Sequence, residues 1–233
     1  MIKLLIAIDG PAGSGKTTTA RLLAERLSYT YLDTGAMYRA ITFKVLQMGV
    51  MPKDEVAVVE IARKARLNLK SINGSLHIFL DGEDVTEKIR SEDVTQNVSL
   101  ISSYAGVREL MVEKQREIGA QKGCVVDGRD IGTVVFPDAD LKFFMIADIA
   151  ERARRRQLEL AENGRDMPIA EVVRQIQERD EMDSNRGISP LRRANDAILI
   201  DTTKMSVEEQ VEEIMRYVRE KITASNKEIK YEN

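Results

Sequence analysis

The residues Gly10-Pro11-Ala12-Gly13-Ser14-Gly15-Lys16-Thr17 constrain this chain more than any other stretch. They match a glycine, four residues, then Gly-Lys and a hydroxyl residue, the pattern of a loop that wraps a phosphate. Ile2 to Ile8 is an apolar run of strand length, and Ala20, Leu23, Ala24 and Leu27 recur at helical spacing. The loop therefore sits between a strand and a helix. A glycine-rich turn with no ligand is the bland alternative, and the agreement of motif and context argues against it. Gly10, Gly13 and Gly15 let successive N–H groups turn inward around a phosphate, and the positive end of the helix adds to that field. Lys16 brings a full charge to the outer phosphates, and the Thr17 hydroxyl is placed to ligate Mg²⁺. With Pro11, Ala12, Ser14 and Thr18, these residues form the expected ATP site.

The rest of the chain bounds what can surround this loop. Its 233 residues suffice for one substantial core, or a core carrying insertions. Net charge is −3, so an anion site must be local and no basic surface argues for nucleic acid. The single cysteine, Cys124, lies in an apolar run and reads as a small buried hydrophobe, which excludes a disulfide framework and suits a reducing cytoplasm. The N-terminal apolar run is too short for a signal-peptide core, and no segment reaches membrane-spanning length.

Along the chain, Tyr29–Leu32 reads as a second strand ending in Asp33, followed by helices over about 36–48 and 54–65. The period then changes. Residues 67–72 and 76–80 alternate around Asn73-Gly74, which predicts an antiparallel hairpin inserted in the chain as a mobile lobe. His77, the only histidine, falls on that strand face and reads as structural. Helices are expected over 92–102 and 107–121 with Gly123 as a stop, then strands at 124–127, 141–146 and 197–201. A charged helix over 151–163 closes at Gly164, and Pro168 opens another. Ser206 and Glu209 form a capping box for a last helix with Val207, Val211, Ile214, Val218 and Ile222 inward, and the tail frays from Thr223. Five strand–helix units with short connections predict an α/β fold of three layers around a central parallel five-stranded sheet. Ligands then bind at the carboxyl ends of the strands, where Asp9, Asp33, Asp127 and Asp201 fall.

A phosphate loop alone does not choose a reaction. The chain lacks an Asn-Lys-x-Asp guanine-reading motif and a strand ending in Asp-Glu, which argues against GTPases and motor ATPases. It is rich in arginines in its second half and beside its turns. Phosphoryl transfer between two anions needs these, because guanidinium forks hold the repelling phosphates in line. Arg152, Arg155 and Arg156 share one helix face and predict a helical lid over the donor phosphates, while Arg154 lies off that face among solvated charges.

Residues 9–16, 32–39 (Leu-Asp-Thr-Gly-Ala-Met-Tyr-Arg) and 127–137 (Asp-Gly-Arg-Asp-Ile-Gly-Thr-Val-Val-Phe-Pro) together resemble the bacterial cytidylate kinases. Asp183-Ser184-Asn185-Arg186 with Ser189-Pro190-Leu191 is similar too, and the likeness spans nearly the whole chain. It implies an ATP-dependent kinase that phosphorylates CMP or dCMP in pyrimidine metabolism, with Mg²⁺, no nucleic-acid partner and a monomeric, cytoplasmic chain. It further implies that Thr34, Tyr38 and Arg39 contact the acceptor nucleotide, and that Ser99, Arg108 and Asp130 read the cytosine edge. Arg129 and Arg186 would hold the acceptor phosphate, with Arg179 and Asp183 near the sugar. Lys16, Arg39, Arg129, Arg152 and Arg186 would act on the transferring group, Arg155 and Arg156 on ATP, and Asp33 or Asp127 would hold Mg²⁺ through water beside Thr17. The division implied is a core of about 1–35, 104–148 and 190–222, an acceptor insertion of about 36–103 and a lid of about 149–189. A kinase of the same fold acting on another nucleotide or an acidic metabolite such as shikimate, and a module using ATP only as a switch, stay open on the residues alone.

Overall fold

The structure, a computed structural model, describes residues 2–72, 75–162 and 164–231. Strand β1 (Leu5–Asp9) runs into the phosphate loop and helix α1 (Lys16–Leu27), then β2 (Thr30–Asp33), α2 (Thr34–Gln47) and α3 (Glu55–Lys64). The insertion follows as β3 (Leu67–Ile72), β4 (Ser75–Leu80) and β5 (Glu83–Asp84), with a 3₁₀ turn at Lys88–Arg90. Next come α4 (Glu92–Ser103), α5 (Ala105–Gly119) and β6 (Cys124–Gly128), a π-helical turn at Ile131–Val135 and β7 (Leu141–Ile146). The chain closes with α6 (Ile149–Glu162), α7 (Ile169–Asn185), β8 (Ile198–Asp201) and α8 (Val207–Tyr231). Among the described residues no helix is long and apolar enough to cross a membrane.

The main sheet has the order β2-β6-β1-β7-β8, and all its pairings are parallel. Alternation along β1 explains its layers: Ile6 and Ile8 face α1 and α8 beside Phe143 and Met145, while Ala7 faces α2 and α5. In register, Asp33 lies opposite Asp127 and Asp9 opposite Gly128, so the pairing itself gathers carboxylates at one edge. The antiparallel sheet β3-β4-β5 is present as expected, although its turn at Asn73-Gly74 lies outside the described residues. Its inner face is no separate lobe. Leu67, Ile78, Leu80, Val85 and Ile89 join the same apolar cluster as Val45, Val58 and Val126. By contrast α6 and α7 share a small core of their own, Ala153, Leu160, Val172 and Ile176. At about 1.5–3 kcal/mol per fully buried aliphatic side chain, that holds the pair together without welding it to the sheet.

Element boundaries depart from expectation for identifiable reasons. Helix α2 begins at Thr34 because the Asp33 carboxylate caps it, accepting from the Ala36 amide at 2.9 Å. Helix α5 ends at Gly119, where an added Cβ would sit 2.4 Å from the Phe136 ring; Gly123, expected as its stop, instead turns the chain into β6. The capping box at Ser206 and Glu209 forms, with the Ser206 amide and hydroxyl both donating to the Glu209 carboxylate at 2.7 and 2.8 Å. Two expectations about α8 fail. Val207 is 39% exposed, and the helix runs on past Thr223 to Tyr231. The hydroxyls and acids that precede it do the capping, and its buried stripe starts only at Gln210 and Val211.

Candidate active site

The phosphate loop is held shut from outside by contacts that only glycine permits. At Gly10 a Cβ would lie 2.2 Å from the Met145 carbonyl oxygen of β7. Gly13 takes φ +75°, and its Cβ would meet the Arg152 Cβ at 3.1 Å. Helix α6 thus starts directly on the loop. Arg152 seals that contact: Nη1 donates to the Ala12 carbonyl at 3.1 Å and to Asp180, and Nε donates to the Ala147 carbonyl at 3.0 Å. Below the loop, the Thr202 hydroxyl donates to the Ser14 carbonyl at 2.9 Å, and Thr19 donates to Gln210 at 2.7 Å.

Lys16 opens α1 with its side chain folded back, Nζ donating to the Pro11 carbonyl at 3.0 Å. Burial, and then the Arg129 charge, pull its pKa down to about 7. The neighbouring Thr17 hydroxyl donates to Asp127 Oδ2 at 2.8 Å, and Tyr31 donates to Oδ1 at 2.9 Å. Burial, aided by the charge of Asp33, pushes Asp127 up to about 7. Between the two aspartates left open for Mg²⁺, Asp127 is therefore the one joined to the loop threonine, while Asp33 caps α2. A hydroxyl beside a carboxylate is an oxygen donor set that fits a hard cation completing its shell with water and phosphate. Among the described residues no three His, Cys, Asp or Glu side chains are grouped as a metal cage.

Asp9 serves the scaffold. Its oxygens accept from the Ile131 and Gly132 amides, both at 2.8 Å, and so fix the π-helical turn after β6. Burial raises it to about 6 despite those bonds. Asp201 turns to solvent and caps Thr203. That turn after β6 is what delivers Arg129 and Asp130 to the cleft.

On the acceptor side charges come from α2, α5, α7 with its C-cap, and the turn after β6. Arg129 Nε donates to Asp183 at 2.7 Å across from α7. Arg108 of α5 donates to the Asp130 carboxylate and, at 3.1 Å, to the Ser102 carbonyl, with its guanidinium 5.4 Å from the centre of the Tyr38 ring. Arg186 Nη2 lies 3.6 Å from the other oxygen of Asp130, and its Nε donates to the Ser189 carbonyl at 2.5 Å. Arg39 reaches the Thr95 hydroxyl of α4 at 2.9 Å, one turn before the half-buried Ser99. Arg179 is buried with Nε lacking a hydrogen-bond partner among the described residues. Burial first, then Arg129 and Arg39, lower its pKa to about 9.

These perturbations map proximity. Lys16 feels Arg129 and Arg179, and Arg179 in turn feels Arg39 and Arg156. Arg186 feels Arg108 and Asp130. A file of charges therefore runs from the phosphate loop through Arg129, its partner Asp183 and Arg186 to the Arg108–Asp130 pair, and its cations set the field an extended polyanion would meet. The three lid arginines divide their duties. Arg152 reaches the loop; Arg155 donates to Glu151 and to Thr202; Arg156 pairs with Glu159 at 2.8 Å near Arg39. Arg154 pairs with Glu151, as a solvated residue does. The Thr34 hydroxyl donates to the Asp127 carbonyl at 2.7 Å, tying β2 to β6 rather than standing free in the cleft. Sequence reading missed Tyr31, Thr95 and Asp180, which orient Asp127, Arg39 and Arg152. Only Asp180, beside Arg179, carried a signal in its neighbourhood.

The sequence profile of the family described as cytidylate kinase matches residues 6–220. The cytidylate kinase of Caldanaerobacter subterraneus subsp. tengcongensis is 52% identical over 92% of this chain and 94% of its own length. That of Desulforamulus reducens is 48% identical over 91% and 96%. A solved structure of an uncharacterized protein from Eubacterium ventriosum, 14% identical, shares the fold with a TM-score of 0.51 over 93% of this chain and 99% of that one. Motifs far apart in sequence meet in one cleft, and the profile over residues 6–220 spans them all: the chain belongs to the cytidylate kinase family.

Proposed function

We infer that this chain is an ATP-dependent nucleoside monophosphate kinase that transfers the γ-phosphoryl group of ATP to CMP or dCMP, giving ADP and the diphosphate, as a step of pyrimidine nucleotide metabolism. The observation that carries the reading is the file of charges that leads from Lys16 through Arg129, its partner Asp183 and Arg186 to the Arg108–Asp130 pair. The loop residues 10–18 hold the donor phosphates, with Lys16 on the outer ones. Arg39, Arg129 and Arg186 take the acceptor phosphate, and Arg179 with Asp183 stands near the sugar. Asp130, positioned by Arg108, accepts from the cytosine amino group, with Ser99 and Tyr38 alongside. Arg152 spans the donor loop and α7, while Arg155 and Arg156 lie toward ATP.

Transfer is direct and in line, so the side chains supply position and charge rather than a covalent intermediate. Each guanidinium is strongest on the oxygens as charge spreads over the moving phosphoryl group. Mg²⁺ would neutralise charge on the donor phosphates, held beside Thr17 and Asp127. The core of about 1–35, 104–148 and 190–222 carries the donor, the insertion of about 36–103 covers the acceptor, and the lid of about 149–189 excludes water. On this reading one chain carries every residue the reaction needs.

An acceptor panel tests this. Purified protein with ATP and Mg²⁺ should release ADP with CMP and dCMP far faster than with AMP, GMP, UMP or shikimate. Equal rates across the panel, or ADP release indifferent to any acceptor, would refute the assignment.

A further inference from the structure

Helix α5 buries Val107, Arg108, Met111, Gln115 and Gly119 along one stripe. Arg108 is already assigned a role beside Asp130. Gln115, two turns further on, is 1% exposed, and its Nε2 has no hydrogen-bond partner among the described residues. A buried amide in that condition is a net cost to folding, and an apolar residue of the same shape would be neutral or better. Folding alone therefore does not account for a glutamine here.

The amide is aimed at the acceptor site. It faces the Tyr38 hydroxyl as a donor, in a contact that stops short of hydrogen-bond geometry, and that hydroxyl is buried together with Arg108, Asp130 and Arg186. Neither Tyr38 Oη nor Arg108 Nε finds a hydrogen-bond partner among the described residues. Three unpaired polar groups, one each from Gln115, Tyr38 and Arg108, thus meet behind the Arg108–Asp130 pair. Resting on the kinase reading above, we propose that Gln115 is a positioning residue for the acceptor nucleotide, its N–H donating to the Tyr38 oxygen so that the phenol proton points to the substrate. A phenol has one proton to give. A donor behind its oxygen occupies the lone pairs and leaves that proton for the ligand in front. The hydrogen bond closes when the nucleotide draws Tyr38 into line, so its worth appears in CMP binding rather than in folding.

The test is Gln115→Met, which keeps the bulk and removes the donor, assayed beside Tyr38→Phe and the double variant. The expected result is a rise of about five- to tenfold in KM for CMP, the worth of roughly one hydrogen bond, with kcat and KM for ATP within about twofold. Without nucleotide the Met variant should melt no lower than the parent chain, and CMP should raise its melting temperature less. In the Tyr38→Phe background the Met substitution should add nothing to KM for CMP, since the two act as a unit. If the Met variant does not fold, Gln115→Asn, which draws the same amide back by one methylene, should give the same KM shift at smaller size. An unchanged KM for CMP, or a lowered melting temperature as the sole effect, would overturn the proposal. Failure of the unsubstituted chain to phosphorylate CMP would overturn the kinase reading instead.

Discussion

The two ends of the cleft solve the same problem, holding a phosphate, by opposite means. At the donor end one continuous stretch, residues 10–18, makes the site, and its polar groups are mostly backbone. They are braced by neighbours that a side chain at Gly10 or Gly13 would displace. At the acceptor end no stretch makes the site. Arg39, Arg108, Arg129, Arg179 and Arg186 arrive from three helices and the β6 turn, paired with Asp130 and Asp183 and pressed against one another. The first arrangement is rigid and short-range. The second is long-range, and its order depends on charges balancing between α7, which shares its apolar core with α6, and α2, α5 and the β6 turn, which pack in the main core. A site of the first kind should break locally, and one of the second kind should lose selectivity and stability together.

The largest contrast comes from Lys16→Ala. Removing the one side-chain charge of the donor loop should cost roughly 10²–10³-fold in kcat, the loss seen when a single stabilising donor is deleted. Because Lys16 is buried with its pKa held down, the variant should melt no lower than the parent, as followed by circular dichroism. Near-normal turnover would erase the difference between the two ends.

Asp130→Ala should show the acceptor end behaving otherwise. It strands Arg108, which is 2% exposed, and removing one partner of such a pair costs about 3–5 kcal/mol of stability. The preference for CMP over UMP should fall with it, while KM for ATP holds. Asp130→Asn keeps the shape and serves as the folded comparison. Unchanged preference for CMP in both would remove Asp130 from base reading.

Gly13→Ala should be milder and confined to the donor. The left-handed φ and the 3.1 Å approach to Arg152 predict about 1–2 kcal/mol of strain. That should appear as a higher KM for ATP with KM for CMP unaltered in steady-state assays.

A further contrast is a pH dependence at the join between the ends. Asp127 titrates near 7 in the folded protein against about 4 in an unfolded chain, so the fold holds a proton there that the unfolded chain releases. That contribution is full below pH 4 and is lost as pH rises through 7. Asp127→Asn is spared the loss. Its melting temperature relative to the parent should therefore climb between pH 4 and 7 and level off above; a flat difference would contradict the burial argument.

The same contrast explains what the sequence disclosed. The donor loop, the parallel sheet and the inserted hairpin follow from local spacing, so residues 10–17 and the alternation at 67–72 were legible without a structure. The arginines were legible as types but not as a file, because Lys16 and Arg179 are joined only by how α1, β6 and α7 pack. Tyr31 and Thr95 carried no signal, since a strand tyrosine and a helix threonine look ordinary until their partners, Asp127 and Arg39, are placed. The position of Arg155 also had to be seen: spacing put it on a face with Arg152, yet its guanidinium is committed to Glu151 and Thr202.

The claim beneath all of this is that two phosphate sites of different construction lie end to end in one cleft. An adenosine–cytidine dinucleotide bridged by five phosphates probes it directly by calorimetry. One equivalent should displace both ATP and CMP and bind more tightly than either, with the gain lost in Lys16→Ala. A compound that displaces ATP while CMP still binds unhindered would contradict the account.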